Sequence, residues 1–303
     1  MTVAILDTGL DYTHRDLAGR VDLSRSRSFV PSDDALVAAN FPTRHPVTDL
    51  HFHGTHVAAT VSSNAIAAAG VTSKVTLIGV KVLGAQNAGP TSGVLAGLMY
   101  AADSGADVIN VRLGGAFDKS EHGGLVGVIN RAVTYAHRKG AAVIASAGND
   151  GADLDHDGDA YKAYCNSPAV VCVAATGPTG SGSINGPFFG VDGPAPYSNY
   201  GRSAIDVAAP GGNRRSVWAA CSRSSLAVPI CRTGTFITGV NGTSMAAAHT
   251  AGLAALLAER LGGNPGRIRA ALQQSADDLG SAGTDPSYGK GRIIVPRALG
   301  LAP

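Results

Sequence analysis

The chain has 303 residues, of which 45% are hydrophobic and 15% charged, and its formal net charge is +2. This length and composition are enough to bury one large core, and nothing marks a linker that would divide it. No basic cluster or nucleic-acid motif accompanies the small charge, which excludes a polyanion-binding class, and the lack of any run of eighteen apolar residues excludes a membrane-spanning helix.

Apolar, β-branched runs alternate with helical patterns along the chain. The first run is Thr2 to Leu6, and others follow at 75–80, 107–111, 141–145 and 170–175. This alternation predicts an α/β fold with a mainly parallel sheet covered by helices. Asp7 follows the first run directly, so we expect it at the carboxyl end of a strand, where open α/β sheets place their active sites.

Two later segments supply the other groups of a nucleophilic site. An H-G-T-H segment begins at His53 and opens a stretch typical of a buried helix, and a G-T-S-M-A segment places Ser244 before an Ala-rich helix. A serine hydroxyl needs a neighbouring base, which histidine supplies near pH 7, and an aspartate holds the productive imidazole tautomer. Asp7, His53 and Ser244 therefore predict an acid, a base and a nucleophile in that chain order.

In this order the three segments resemble those of the subtilisin-type serine proteases, and the similarity runs over nearly the whole chain. Further matching segments lie at 80–84, 110–115, 147–149, 208–211 and 288–291. The resemblance implies a single three-layer α/β peptidase domain over residues 1–303, with Asp7, His53 and Ser244 as the catalytic triad. It also implies that the Asn149 amide and the Ser244 backbone N–H stabilise the oxyanion, and that the chemistry uses no cofactor.

The resemblance further predicts how a peptide or protein substrate binds. In this family the substrate pairs as an added β-strand with two exposed segments, and a pocket beside them takes the side chain before the scissile bond. Small residues in that pocket leave room for a sizeable apolar side chain, although Arg112 departs from the family and could narrow the pocket, attract an acidic group or turn to solvent. The corresponding residues are Asn87, Ala88, Gly89, Arg112, Leu113, Gly114, Gly115, Ser146, Ala147 and Gly148.

An acidic loop follows the predicted oxyanion residue. The segment D-L-D-H-D-G-D matches the first six positions of a D-x-D-x-D-G calcium loop, which predicts structural calcium at Asp153, Asp155, Asp157 and the carbonyl oxygen of Asp159. The twelfth position is Tyr164 instead of a bidentate Glu, so the motif is incomplete and a solvated acidic turn is the alternative. By resemblance, the family's own calcium loop is shortened here at 64–70.

Four cysteines form two local pairs, Cys165 with Cys172 and Cys221 with Cys231. Neither pair has zinc-ligand spacing, so two short disulfides are the simplest outcome, with four buried thiols as the alternative. Disulfides would indicate an oxidising compartment and hence an extracellular, secreted enzyme.

Subtilisin-type enzymes are made with a signal peptide and a pro-region that assists folding. Six residues precede Asp7 here, so we expect the chain to lack the signal peptide, the pro-region and the extreme N-terminal segment of the mature enzyme. The resulting prediction is a monomeric, secreted endopeptidase of broad specificity that requires its own pro-region to fold.

Other interpretations are an intracellular or dedicated processing subtilase of narrow specificity, or a truncated chain that is inactive without its upstream regions. A sedolisin-like protease would use Glu as its base and Asp at the oxyanion position, and an α/β-hydrolase would carry G-x-S-x-G with its histidine last. An inactive binding relative would have lost a member of the triad.

Overall fold

The computed structural model describes residues 1–111, 115–183, 185–234 and 236–301. Its strands in chain order are β1 (Thr2–Asp7), β2 (Arg27–Ser28), β3 (Thr76–Lys81), β4 (Val108–Val111), β5 (Ala116–Asp118), β6 (Ala142–Ser146), β7 (Ala160–Lys162), β8 (Val170–Gly177), β9 (Gly180–Ser181), β10 (Phe188–Phe189), β11 (Gly193–Pro194), β12 (Val207–Pro210), β13 (Val217–Ala220) and β14 (Ile237–Val240). Its helices are α1 (Pro31–Asn40), α2 (His53–Val61), α3 (Thr91–Asp103), α4 (Lys119–Arg138), α5 (Thr243–Leu261), α6 (Pro265–Gln274) and α7 (Val295–Ala298), with a 3-10 turn at Pro229–Arg232.

The central sheet is mainly parallel, as the alternation of strands and helices predicts. Six strands run parallel to one another in the order β2-β3-β1-β4-β6-β8. Strand β8 also pairs in parallel with β12 and antiparallel with β11. Every residue of β1, β6 and β8 is buried, as expected of parallel strands that are covered on both faces.

Helices cover both faces of this sheet and give the molecule its three layers. Successive side chains of a strand point to opposite faces. Val3 and Ile5 of β1 accordingly pack in one core cluster with α2 and α5, whereas Ala4 and Leu6 pack in a second cluster with α3 and α4. The predicted fold class is confirmed by this arrangement.

The strand register brings the ends of β1, β3, β4 and β6 to one edge of the sheet. Asp7 lies opposite Lys81, and Leu6 lies opposite Val111. Val111 in turn lies opposite Ala145, one residue before the end of β6. The chain therefore leaves β1, β3, β4 and β6 at the same edge, where Asp7 ends β1 and where Asn87 and Asn149 follow β3 and β6.

Both predicted disulfides are present. Cys165 is bonded to Cys172 and Cys221 to Cys231, with Cα–Cα distances of 5.0 and 5.7 Å, so none of the four cysteines is a free thiol. No helix in the described ranges is long and apolar enough to cross a membrane.

Candidate active site

Asp7 and His53 form a buried hydrogen-bonded pair. Asp7 ends β1 and has no exposed surface, and His53 is the first residue of α2 with 5% of its surface exposed. Nδ1 of His53 lies 2.8 Å from Oδ1 of Asp7 and 2.9 Å from its Oδ2. An ionised carboxylate only accepts, so Nδ1 carries the proton and Nε2 is the basic nitrogen of the neutral ring.

Ser244 lies at the start of a long and largely buried helix. It is the second residue of α5, it is 2% exposed, and the helix is buried along most of its length from Thr243 to Ala258. The peptide dipoles of such a helix add up to a partial positive charge at its N-terminus. Negative charge that develops near Ser244 is therefore favoured by its position in the fold.

The side chain of Asn149 is oriented by Thr243, the residue before Ser244. Its Oδ1 accepts hydrogen bonds from the backbone N–H and the hydroxyl of Thr243, each at 2.9 Å. A backbone N–H can only donate, so the amide oxygen must occupy this branch of the side chain. The Nδ2 group consequently occupies the other branch, where it can donate to a group outside the contact with Thr243.

A cavity of about 270 Å³ brings together several of the predicted residues. Ser244 and Asn149 line it, together with the predicted substrate-binding residues Asn87, Ser146, Ala147 and Gly148. Of the remaining predicted residues, Ala88 and Gly89 are exposed on the turn before α3, and Gly115 lines an adjoining depression with Gly89. Arg112, Leu113 and Gly114 lie outside the described residues.

The sequence is also similar to those of known proteins. Residues 1–291 match the Subtilase family. The chain belongs to this family.

Thermitase from Thermoactinomyces vulgaris is 34% identical over 300 residues, which cover 98% of this subtilase and 88% of thermitase. A thermophilic serine proteinase from Bacillus sp. (strain AK1) is 34% identical over 291 residues, which cover 95% of this chain but 59% of the proteinase. The chain thus spans nearly all of the first relative and little more than half of the second.

Solved structures agree with the fold. A lanthipeptide protease superposes with a TM-score of 0.77 at 27% identity, covering 99% of this chain and 87% of its own. A cold adapted subtilisin-like serine proteinase gives a TM-score of 0.68 at 27% identity, covering 95% and 86%. The recognition of the family from three short segments is confirmed, and subtilases catalyse without a cofactor.

An ion pair that sequence reasoning missed lines the cavity of this subtilase. Nζ of Lys162 lies 2.9 Å from Oδ2 of Asp150, and both residues contribute to the cavity wall beside Ser244. Hydrogen bonds from Lys162 and Asn199 lower the pKa of Asp150. Lys162 reaches this place because β7 pairs antiparallel with β5, with Lys162 opposite Ala116. No local motif in the sequence indicates that pairing.

The predicted calcium loop does not gather its carboxylates in this structure. Asp153 is paired with His156 at 2.9 Å, and the Asp155 carboxylate accepts from the backbone N–H groups of residues 202 and 203. Asp159 accepts from Ser120 N with its side chain and from Lys119 N with its carbonyl, the oxygen that was predicted to bind calcium.

Asp157 has a buried Oδ2 without a hydrogen-bond partner among the described residues, but one carboxylate is not a calcium site. Within the described part of the chain, no three His, Cys, Asp or Glu side chains are placed to hold a metal ion. The loop as arranged therefore does not fit a bound calcium ion, and calcium binding there stays a prediction.

His56, one helical turn after His53, belongs to the core and not to the site. It is fully buried, and its Nε2 lies 3.2 Å from the carbonyl oxygens of Val217 and Thr238. Burial lowers the pKa of His56 to about 4, with a smaller contribution from His53. His56 is therefore neutral at pH 7 and joins α2 to the β13–β14 hairpin through a donated hydrogen bond.

Proposed function

We propose that this subtilase is a subtilisin-type serine endopeptidase that hydrolyses peptide bonds through an acyl-enzyme intermediate. The observation that carries the proposal is the buried Asp7–His53 pair, at the edge of the sheet where Ser244 and Asn149 line one cavity. These four residues supply a base with its proton on Nδ1, a nucleophile at a helix N-terminus and an amide donor beside it.

In the proposed reaction, Oγ of Ser244 attacks the carbonyl carbon of the scissile bond while its proton passes to Nε2 of His53. Asp7 holds the Nδ1 proton and stabilises the imidazolium that forms. The imidazolium then protonates the leaving amine, the C–N bond breaks, and an ester with Ser244 remains. Water, deprotonated by the same imidazole, hydrolyses the ester and restores the hydroxyl.

The tetrahedral intermediate places negative charge on the former carbonyl oxygen. We assign Nδ2 of Asn149 and the backbone N–H of Ser244 as donors to that oxygen. Thr243 supports this role because its two hydrogen bonds fix the Asn149 amide before substrate arrives. A donor that is already oriented stabilises charge without reorganisation during the reaction, which is the main source of oxyanion-hole catalysis.

The cavity beside Ser244 is the proposed pocket for the side chain that precedes the scissile bond, with Asn87, Ala88 and Gly89 pairing with the substrate backbone. Main-chain pairing selects few side chains and supports broad specificity. The Lys162–Asp150 pair makes part of the pocket wall polar, which favours a more selective pocket than small apolar residues alone would form.

A dedicated processing protease of narrow specificity is the second candidate. The polar cavity wall favours it, and so does the structural likeness to a lanthipeptide protease. The two candidates differ in how many sites of an unfolded protein they cut. A peptide library cleaved at many sequences would favour broad specificity, and cleavage confined to one motif would favour processing.

The two disulfides support secretion, since such bonds persist in oxidising compartments. We further propose that the enzyme acts as a monomer on protein or peptide substrates and folds with the help of its own pro-region.

Labelling with a fluorophosphonate probe tests the catalytic assignment. The probe reacts with an activated serine, so the folded protein should be labelled at Ser244, and the Ser244→Ala variant should not be labelled. His53→Ala, which keeps the nucleophile but removes its base, should label far more slowly. A folded protein that takes up as little probe as Ser244→Ala would refute the proposed function.

A further inference from the structure

A second buried carboxylate, Asp49, lies next to the triad and has no assigned role. It is fully buried, and all of its described hydrogen bonds are accepted from neighbouring donors. Oδ1 accepts from Thr8 Oγ1 at 2.9 Å, His51 N at 2.9 Å and Phe52 N at 3.0 Å. Oδ2 accepts from the backbone N–H and the hydroxyl of Thr55 at 2.9 and 2.6 Å.

The five contacts favour the ionised form of this carboxylate, and three of them come from backbone N–H groups that can only donate. Burial raises the pKa of Asp49, whereas hydrogen bonds from Thr55 and Thr8 act in the opposite direction because they favour the ionised form. An ionised Asp49 is an obligate acceptor, so it fixes the direction of each hydrogen bond around it.

The Thr8 hydroxyl extends this network to the residue after His53. Its single proton is donated to Asp49, and its oxygen accepts from Gly54 N at 2.9 Å. The backbone N–H of the same Thr8 donates to Oδ1 of Asp7 at 2.8 Å. Thr8 therefore touches the triad acid, Asp49 and the start of α2 at once.

Both neighbours of His53 are consequently held by one network. Asp49 accepts from Phe52 N directly, and Thr8 accepts from Gly54 N. Phe52 has a φ of 147°, which side-chain-bearing residues rarely adopt, so surrounding contacts must maintain it. A Cβ on Gly54 would lie 2.2 Å from the carbonyl oxygen of Gly9, which shows how closely α2 begins against the turn after Asp7.

We propose that Asp49 and Thr8 are positioning residues that clamp the backbone on both sides of His53 and so hold its imidazole on Asp7. This inference rests on the proposed function for its kinetic consequences, but the clamp itself concerns the Asp7–His53 contact. Neither residue is required to touch the substrate. Loss of the clamp should therefore lower kcat and leave KM nearly unchanged.

Thr8 and Thr55 offer a matched pair of variants. Both hydroxyls are fully buried, both donate to Asp49, and each accepts from one backbone N–H. The N–H is that of Gly54 for Thr8, but that of Asp11 for Thr55. Thr8→Val removes the hydroxyl that holds a neighbour of His53, whereas Thr55→Val removes an equivalent hydroxyl that does not.

We expect Thr8→Val to lower kcat by about tenfold, since small displacements of a catalytic group have effects of this order or larger. Thr8→Ser, which keeps the hydroxyl, should stay within about twofold of the unmodified enzyme, and so should Thr55→Val despite a lower melting temperature. Thr8→Ala provides a second hydroxyl-free variant if the valine variant fails to fold.

A readout independent of activity is the NMR signal of the His53 Nδ1 proton. A weaker contact with Asp7 should move this signal upfield in Thr8→Val, but not in Thr55→Val. If Thr8→Val and Thr8→Ala keep kcat and the signal, or if Thr55→Val changes both as much, the positioning role is refuted. If Thr8→Val shows the signal change but the unmodified protein hydrolyses no peptide, the clamp stands and the proposed function fails.

Discussion

Replacing Asn149 separates catalysis from stability because its two amide branches have different tasks. Its Oδ1 accepts two hydrogen bonds from Thr243, and its Nδ2 is the proposed oxyanion donor. Asn149→Ala removes both tasks. Loss of one oxyanion donor lowers kcat by about 10²–10³, a value taken from subtilisin itself. Loss of two hydrogen bonds at an exposed side chain should cost only about 1–2 kcal/mol of unfolding free energy.

Asn149→Asp is the matched control, since it keeps an acceptor for Thr243 but has no Nδ2 donor. We expect it to retain most of the stability and to lose at least as much kcat as the alanine variant, because its charge opposes the oxyanion. The assays are steady-state hydrolysis of a peptide substrate and urea unfolding, with active sites counted by the fluorophosphonate probe. A variant whose KM rises while kcat stays intact would show that Asn149 binds substrate and does not stabilise the transition state.

Three further predictions concern the pocket, the core and the acidic loop. Lys162→Met should reduce cleavage after Glu relative to Leu and Asp150→Asn should increase it, as measured by kcat/KM on matched peptides; unchanged ratios would mean that the ion pair lies away from the bound side chain. Because the pKa of His56 is lowered to about 4, the unfolded state takes up a proton first as the pH falls below 6.5. The contribution of His56 should lower the unfolding free energy by about 3 kcal/mol between pH 7 and 4, and denaturant titrations of His56→Gln should lack this part of the slope. The change in melting temperature between calcium and chelator should be the same in the unmodified protein and in Asp157→Asn. A change that disappears in the variant would show that the acidic loop binds calcium.

The sequence predicts those parts of the site that are encoded in local segments. Asp7 ends an apolar strand, and His53 and Ser244 lie at the starts of helices, so each side chain of the proposed triad is placed by the residues beside it. Asp7 and His53 meet because α2 begins against the turn that follows β1.

The sequence does not predict the ion pair between Lys162 and Asp150, because no local segment encodes it. It depends on an antiparallel pairing between β5 and β7, and no hydrophobic period in these three-residue strands specifies it. The network of Asp49 likewise joins Thr8 to residues more than forty positions away.

In the acidic loop the local pattern is clear, but the carboxylates accept hydrogen bonds from other parts of the chain. Spacing alone suggests that alternate carboxylates converge on a cation. The structure instead has Asp155 bonded to the backbone at residues 202 and 203, and Asp159 to the start of α4. Such donors are distant in sequence, so the motif could not reveal them.

The position of Ser244 on α5 also has a consequence during synthesis of the chain. This helix packs against α2 and against β4, β6, β8 and β12, so it can dock only after most of the sheet exists. Asp7 leaves the ribosome long before Ser244 does. A nascent or half-folded copy therefore lacks the proposed nucleophile in its place and should not digest its neighbours. On the proposed function, proteolysis begins only after the core around α5 has closed.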